Sequence, residues 1–309
     1  MSRTIAPGGP EWPVLLNEMH PLGAPERLYL RGVPLTADAR CIGIVGTRRP
    51  SVAGLHVAER FAREFARRGF VVVSGLALGI DAAAHKAALN SGGATVAVLG
   101  CGVDVVYPKT NHRLFAAIAE RGTLVSEYED GTTPERWRFP ARNRIIAGMC
   151  EAIVVIEGAM KSGALITARQ ALDANRAVFA TPGSPINPRA EGANELIRLA
   201  HAGLVFEPRH VLEEIAPDLV DRPVAESSPT AAALDEPGRE ILGLFDGSAL
   251  SLDAIVSRAT IPSAETSLAL VSLEMRGLLV RRHGAYELTP SGAGIVGALP
   301  TLKSPGGKT

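Results

Sequence analysis

Between residues 41 and 202 the chain alternates short apolar, β-favouring runs with amphipathic or alanine-rich stretches, and this alternation limits the fold more than any other feature. Runs at 41–46, 70–75, 95–100, 123–127, 152–157 and 177–183 predict strands. Stretches at 52–68, 81–90, 111–121, 163–174 and 193–202 predict helices, with Asp81 and Thr110 as N-caps of two of them. Strands that are apolar on both faces need cover on both faces, and interleaved helices supply it. The expectation is an extended Rossmann-like α/β domain with a parallel sheet. In such sheets ligands meet the carboxyl ends of the strands. Turn residues gather there, and Gly46, Thr47, Ser74, Gly75, Ser162 and Gly163 predict a phosphate-cradling rim of backbone N–H groups and helix N-termini.

The remaining chain divides around this pattern. Residues 1–25, rich in Pro and Gly, read as a lead-in segment with one short helix near 13–19. The α/β domain takes 26–215. Pro217, Pro223 and Pro229 mark 216–233 as a linker. Residues 234–290 then show helices at 238–245, 251–259 and 263–275, followed by a hairpin of 278–282 and 285–288 around Gly284. Three helices and a β-wing predict a small winged-helix domain. Residues 291–309 read as a disordered tail.

Composition removes several classes. Lys+Arg and Asp+Glu both number 32, so no excess charge holds an anionic partner, and any basic surface is local. Cys41, Cys101 and Cys150 stand far apart in apolar surroundings and read as buried thiols, not as a disulfide framework or metal site. No metal is expected. Gly100-Cys101-Gly102 lacks the third glycine of the dinucleotide fingerprint, so no nucleotide cofactor is expected either. No apolar run reaches membrane-spanning length and no signal pattern opens the chain, which predicts a cytoplasmic protein with no membrane contact.

Catalytic constellations are thin. Asp81 and His85 share a helix face and suit acid–base work, but a capping Asp with a packed His is the simpler reading. Glu157 at a strand end suits a structural carboxylate better than a ribose ligand. The informative stretch is 135–144, where Arg136, Arg138, Arg142 and Arg144 interleave with Trp137 and Phe139 in a chain only 5% aromatic. Arginines neutralise phosphates and aromatic faces stack on any base. Arg48 and Arg49, at the end of the first strand, face the same rim, which favours an anionic polymer as ligand. Pro140 is expected to precede a helix beginning near Asn143.

Several segments in unbroken order over about residues 26–207 resemble the DprA (Smf) family. They are Val45-Gly46-Thr47-Arg48-Arg49, Ser74-Gly75-Leu76-Ala77-Leu78-Gly79-Ile80-Asp81 with His85, Tyr107-Pro108 with Asn111, and Ser126-Glu127. Phe139-Pro140-Ala141-Arg142-Asn143-Arg144-Ile145-Ile146, Ser162-Gly163-Ala164-Leu165-Ile166-Thr167-Ala168-Arg169 and Pro182-Gly183 complete the set. The resemblance implies a homodimeric, non-catalytic protein that binds single-stranded DNA without sequence preference and loads RecA recombinase onto it during natural transformation. By motif it implies a DNA contact at Arg48, with Arg49 beside it, base stacking at Phe139, and Arg142 and Arg144 near the DNA backbone. Lys109 matches a basic position, and Arg136, Arg138 and Asn143 complete the expected interface. Two rivals stand beside this reading: a Rossmann-like nucleotide-processing enzyme, for which no base or nucleophile stands out, and a winged-helix regulator of duplex DNA. The second is weakened by helix 263–275, which carries Glu265 and Glu274 and has only Arg276 at its end.

Overall fold

The computed structural model describes residues 2–221, 234–282 and 284–296. The chain divides into two compact units, Met1–Ala225 and Glu226–Thr309. The first is built on strands β1 (Arg3–Ile5), β2 (Leu28–Gly32), β3 (Cys41–Gly46), β4 (Val71–Ser74), β5 (Thr95–Leu99), β6 (Thr123–Ser126), β7 (Ala152–Ile156), β8 (Ala177–Ala180) and β9 (Gly203–Leu204). Its helices are α1 (Val52–Arg67), α2 (Ile80–Asn90), α3 (His112–Arg121), α4 (Arg138–Met149), α5 (Gly163–Asp173), α6 (Glu191–Arg198) and α7 (Pro208–Ile215). The sheet order is β1-β2-β6-β5-β4-β3-β7-β8-β9. From β6 to β9 all neighbours are parallel, while β1 and β2 form an antiparallel edge.

Alternation within each strand sorts the two faces. Val45, Val73, Val98 and Val155 point toward α4 and α5, where Ile145, Ile146, Leu165 and Ala168 meet them. Ile44, Val72 and Val154 point the other way, onto Phe61 and Phe65 of α1, Ala84 of α2 and Leu212 of α7. Ala97, Leu99 and Leu124 continue that second face under Phe115 and Ile118 of α3. Each fully buried side chain of this size contributes roughly 1.5–3 kcal/mol. After β6 the chain crosses through α4 and returns to place β7 beside β3, so the winding reverses there. Gly46 sits at that reversal because a Cβ would stand 2.0 Å from the Ile156 carbonyl oxygen.

Residues 1–25 are not a lead-in. β1 joins the sheet edge, and a short 3-10 helix, Val14–Glu18, lies where a helix near 13–19 was expected. Trp12, Leu16 and Met19 are buried in the same core as α4. Nor does the expected linker begin at 216: Ala216 is buried and Leu219 and Val220 pack on the α1 face, while 222–233 lie outside the described residues.

The second unit holds α8 (Glu236–Gly243), β10 (Leu250–Ser251), α9 (Leu252–Arg258), α10 (Ser263–Met275), β11 (Leu279–Arg282), β12 (Ala285–Leu288) and α11 (Pro290–Val296). Its sheet order, β10-β12-β11, makes the wing, with Arg281 opposite Tyr286. Asp235 and Ser251 cap α8 and α9 by accepting from Gly238 N and Ala254 N at 3.1 and 3.2 Å. Ile241, Phe245, Ile255, Leu270, Leu273 and Tyr286 give the unit its own core. The expected tail begins later than 291, because α11 runs to Val296; 297–309 lie outside the described residues. Among the described residues no helix is long and apolar enough to cross a membrane.

Candidate nucleic-acid interface

The carboxyl ends of β3, β4 and β5 and the first turn of α4 enclose a cleft of about 90 Å³, lined by Arg48, the 75–78 backbone, Gly100, Tyr107, Phe139 and Arg142 among others. α4 starts at Arg138, five residues before the expected Asn143. Pro140 falls in its first turn, where a missing backbone N–H costs nothing. This early start carries Phe139 over the cleft. Its ring stacks on Tyr107, with centroids 5.2 Å apart and planes 28° from parallel. Tyr107 is 39% exposed, so the pair presents aromatic surface at the mouth. Asn111 Nδ2 donates to the Leu76 carbonyl at 3.0 Å and ties the Tyr107 loop to the end of β4. Asn111, not Thr110, holds the cap position of α3, and this bond spends its side chain elsewhere.

The arginines of the 135–144 stretch separate into two groups. Arg136 is exposed, as are Arg48, Arg49 and Lys109, and none of the four has a carboxylate partner among the described residues. Arg138 is tied down instead. It pairs with Glu135 at 2.9 Å, donates to the Thr133 carbonyl, and lies over the Tyr128 and Trp137 rings. Arg144 pairs with Glu127 at 2.5 Å and donates to the Gly23 carbonyl at 3.2 Å. Both hold loops through these bonds, at positions where the family resemblance implies DNA contacts. Asn143 is also structural: it is buried and its Nδ2 donates to the Gly163 carbonyl at 3.3 Å, joining α4 to α5. Trp137 is 58% exposed and donates to Glu135.

Beneath the cleft lies a buried polar network. Arg142 is only 5% exposed; its Nη1 donates to the Gly75 carbonyl at 2.9 Å and its Nε to Asn143 Oδ1 at 3.2 Å. Burial lowers its pKa to about 10, opposed by the Asp81 carboxylate, so it stays charged near neutrality. Asp81 is not the N-cap of α2, a position Gly79 holds. Its Oδ2 instead accepts from the N–H groups of Gly75 and Ala77 at 3.1 and 3.3 Å. Burial raises its carboxyl pKa, against the lowering effects of Arg142 and of those N–H groups. His85 does not bond Asp81. The Thr95 hydroxyl donates to Val72 O, so it accepts from His85 Nδ1–H at 2.7 Å, leaving Nε2 buried without a partner among the described residues. Burial drives the His85 pKa down to about 3, which keeps the ring neutral. The pair is a packing device, not an acid–base couple.

The expected phosphate cradle is largely spent within the fold. Gly75 N–H bonds Asp81, Ser74 Oγ donates to Ile44 O at 2.6 Å, and Thr47 N–H donates to Glu157 O at 2.7 Å. Gly46 is pressed against β7. Glu157 accepts from Ser51 N at 2.8 Å and from Ser51 Oγ at 2.5 Å, and Ser51 Oγ in turn caps α1 at Gly54 N. Leu76 and Glu157 hold left-handed backbone at φ 56° and 49°, a cost of about 1–3 kcal/mol each that the surrounding bonds offset. Ser162 and Gly163 stand apart from the cleft: Gly163 is exposed, and Ser162 Oγ is buried with no partner among the described residues. Tyr107 went unassigned in the sequence because an aromatic residue before a proline reads as a turn; its proximity to Phe139 exists only once β5 and α4 converge. No cluster of three or more His, Cys, Asp or Glu among the described residues could hold a metal ion.

Fold and rim together define a two-unit protein, an extended Rossmann-like sheet followed by a winged helix. The chain belongs to the DprA family: the model of DNA recombination-mediator protein A matches residues 3–216, and that of the DprA winged helix domain matches 225–285. It is 35% identical to Protein Smf of Synechocystis sp. over 312 residues, covering 91% of this chain and 78% of that one. The solved DNA processing protein A of Streptococcus pneumoniae is 40% identical, with a TM-score of 0.64 over 69% of this chain and 74% of the other. The Helicobacter pylori DNA processing protein A, solved for its single-stranded DNA binding mode, is 28% identical, with a TM-score of 0.62 over 71% of this chain and 97% of that one.

Proposed function

We propose that this protein holds single-stranded DNA across the β3–β5 strand ends as a polymer, not as a read sequence, and loads RecA onto it during natural transformation. The observation that carries the reading is the half-exposed Tyr107–Phe139 stack over a cleft lined by Arg48, with exposed Lys109 and Arg136 close along the chain to the two rings, cations with no carboxylate partner among the described residues. Phosphates take the cations and an unpaired base takes the aromatic face, which a duplex keeps inside its own stack. The single-stranded DNA binding mode of the Helicobacter pylori relative supports the same ligand. Arg49 lies next to Arg48 at the edge of the footprint. The family's description as a recombination mediator supports the hand-over to RecA, and we extend the family reading to a cytoplasmic homodimer acting without catalysis.

The test is fluorescence anisotropy with single-stranded and duplex oligonucleotides of equal length. Tighter binding to the single strand is expected; equal or tighter duplex binding overturns the assignment. A RecA pull-down with and without single-stranded DNA tests the second step, and no capture under either condition removes it.

A further inference from the structure

Helix α1 leaves the strand ends just after Arg48 and Arg49 and carries a row of basic side chains down its outer face. His56, Arg60 and Arg63 are exposed, and their spacing of four and then three residues puts them on one side of the helix. Ala58, Phe61, Ala62 and Phe65 occupy the opposite side, against the sheet. Arg63 has no carboxylate partner among the described residues. Arg60 meets Glu207 at 3.3 Å with side chains 50% and 44% exposed, a pair that solvent screens. At the head of the row Arg189 is exposed and its Nε donates to the Arg49 carbonyl at 2.7 Å, which fixes a further cation beside the rim. Arg48, Arg49, Arg189, Arg60 and Arg63 thus stand against two carboxylates, Glu59 and Glu207, in a chain whose total charge balances. Such a local surplus attracts an anionic polymer. No Phe, Tyr or Trp is among the exposed residues of α1, so this face offers charge and no stacking surface.

We propose that the outer face of α1 is a second tract for the same strand: single-stranded DNA leaving the cleft passes Arg48, Arg49 and Arg189 and lays its phosphates along His56, Arg60 and Arg63. The inference rests on single-stranded DNA being the ligand, and it extends the footprint from the strand ends down the side of the sheet. At 1.5 Å per residue the row from Val52 to Arg63 is about 16 Å long. Nucleotides seated at the cleft do not reach its far end, so these contacts add only when the strand is long. Guanidinium groups without neighbouring rings hold phosphates and leave the bases in water, which makes the tract indifferent to sequence and sensitive to salt. Continuity with the rim selects a single strand over a duplex, because the strand must present unpaired bases to Tyr107 and Phe139 at its other end.

The experiment measures the full chain's affinity for a thymidine 24-mer and a thymidine 6-mer, with Arg63→Glu, Arg189→Glu and a control. The control is Arg121→Glu, an exposed position at the end of α3 by the amino ends of the strands, which changes net charge equally but away from the row. Arg63→Glu and Arg189→Glu should each weaken the 24-mer about threefold to tenfold and flatten log K against log salt by about 0.7, with the 6-mer and the control unchanged. A fluorophore on Val52→Cys gives a second readout: Val52 is 86% exposed and the three native cysteines are buried, so the label takes one place. Its signal should respond to the 24-mer and not to the 6-mer. Unchanged 24-mer affinity and slope in either folded variant overturns the tract, and so does a label silent to the 24-mer. Equal loss in Arg121→Glu makes the effect one of net charge, and equal loss on the 6-mer places the residues at the cleft; both overturn it too. Each of these leaves single-stranded DNA binding intact. No binding of either oligomer by the unaltered chain removes the ligand itself, and with it the proposed function.

Discussion

At the strand ends of the α/β unit, Arg48, Arg49, Lys109 and Arg136 stand exposed around a stacked aromatic pair. On α10, the third helix of the winged-helix unit and the one such folds lay into a major groove, the outward positions are Ala264, Glu265, Ser267, Leu268 and Val271. Leu268 is 72% exposed and Val271 52%, and no Lys or Arg occurs between 263 and 275. A duplex carries one negative charge per roughly 1.7 Å, which an acidic and apolar helix does nothing to neutralise. The helix associated with groove reading therefore carries the wrong chemistry for it here, while the sheet unit, whose fold is shared by many enzymes, carries the exposed cations and rings that the proposed function needs. Architecture positions side chains; the side chains decide the ligand.

The largest test splits the molecule. A fragment of residues 1–221 should bind an oligo-dT within about threefold of the full chain, and residues 222–309 should bind at least about a hundredfold more weakly, since several phosphate contacts are lost at once. Ending the first fragment at 217 would strip Leu219 and Val220 from their packing, so 221 is the fair boundary. Comparable binding by the second fragment would break the contrast. Next in size is the aromatic pair. Phe139→Ala and Tyr107→Ala should each cost about 1–3 kcal/mol in oligo-dT affinity with the salt slope unchanged, because stacking releases no counterions. Their effects should also be non-additive, since the rings touch. Normal affinity in both folded variants would remove the stacking role.

A smaller effect separates the free arginines from the tied ones. Arg48→Ala should flatten the plot of log K against log salt by about 0.7, the value for one phosphate contact on a single strand. Arg138→Ala and Arg144→Ala should leave that slope alone and lower the melting temperature instead. A flattened slope in either of these would return it to the interface. The smallest effect on binding, none near neutral pH, is expected at His85, whose influence is on stability. Its folded pKa is depressed from 6.5 to about 3, so its contribution is complete above 6.5 and is lost as pH falls toward 3. Urea midpoints of the 1–221 fragment should fall across that window, and His85→Gln should flatten the fall.

How much of this was readable in advance depended on period. The parallel strands and the three helices of the second unit repeat at regular spacing over many residues, and their positions followed from it. β1 has three residues and the helix at Val14–Glu18 little more than one turn, too short to show a period even though Trp12, Leu16 and Met19 reach the core. The start of α4 was missed because Pro140 reads as a breaker until it is seen to lie in a first turn. At the site, the sequence located the cations and aromatics but not their partners. Glu135, three residues from Arg138, was a usable signal; Glu127, seventeen residues from Arg144, was not. The folding back of Asp81 onto Gly75 and Ala77 left no trace in spacing.

That folded-back carboxylate bears on what competes for the surface. Nucleoside triphosphates crowd any cell, and an open ring of amides at the end of a parallel sheet is where such molecules dock. Here the Asp81 carboxyl group already sits on the Gly75 and Ala77 amides, so a lone nucleotide finds no vacant seat there. It is left with one exposed arginine at a time. A strand long enough to reach Arg48, Lys109 and Arg136 together gains from each contact after the first without further loss of freedom, and outlasts smaller rivals by avidity alone.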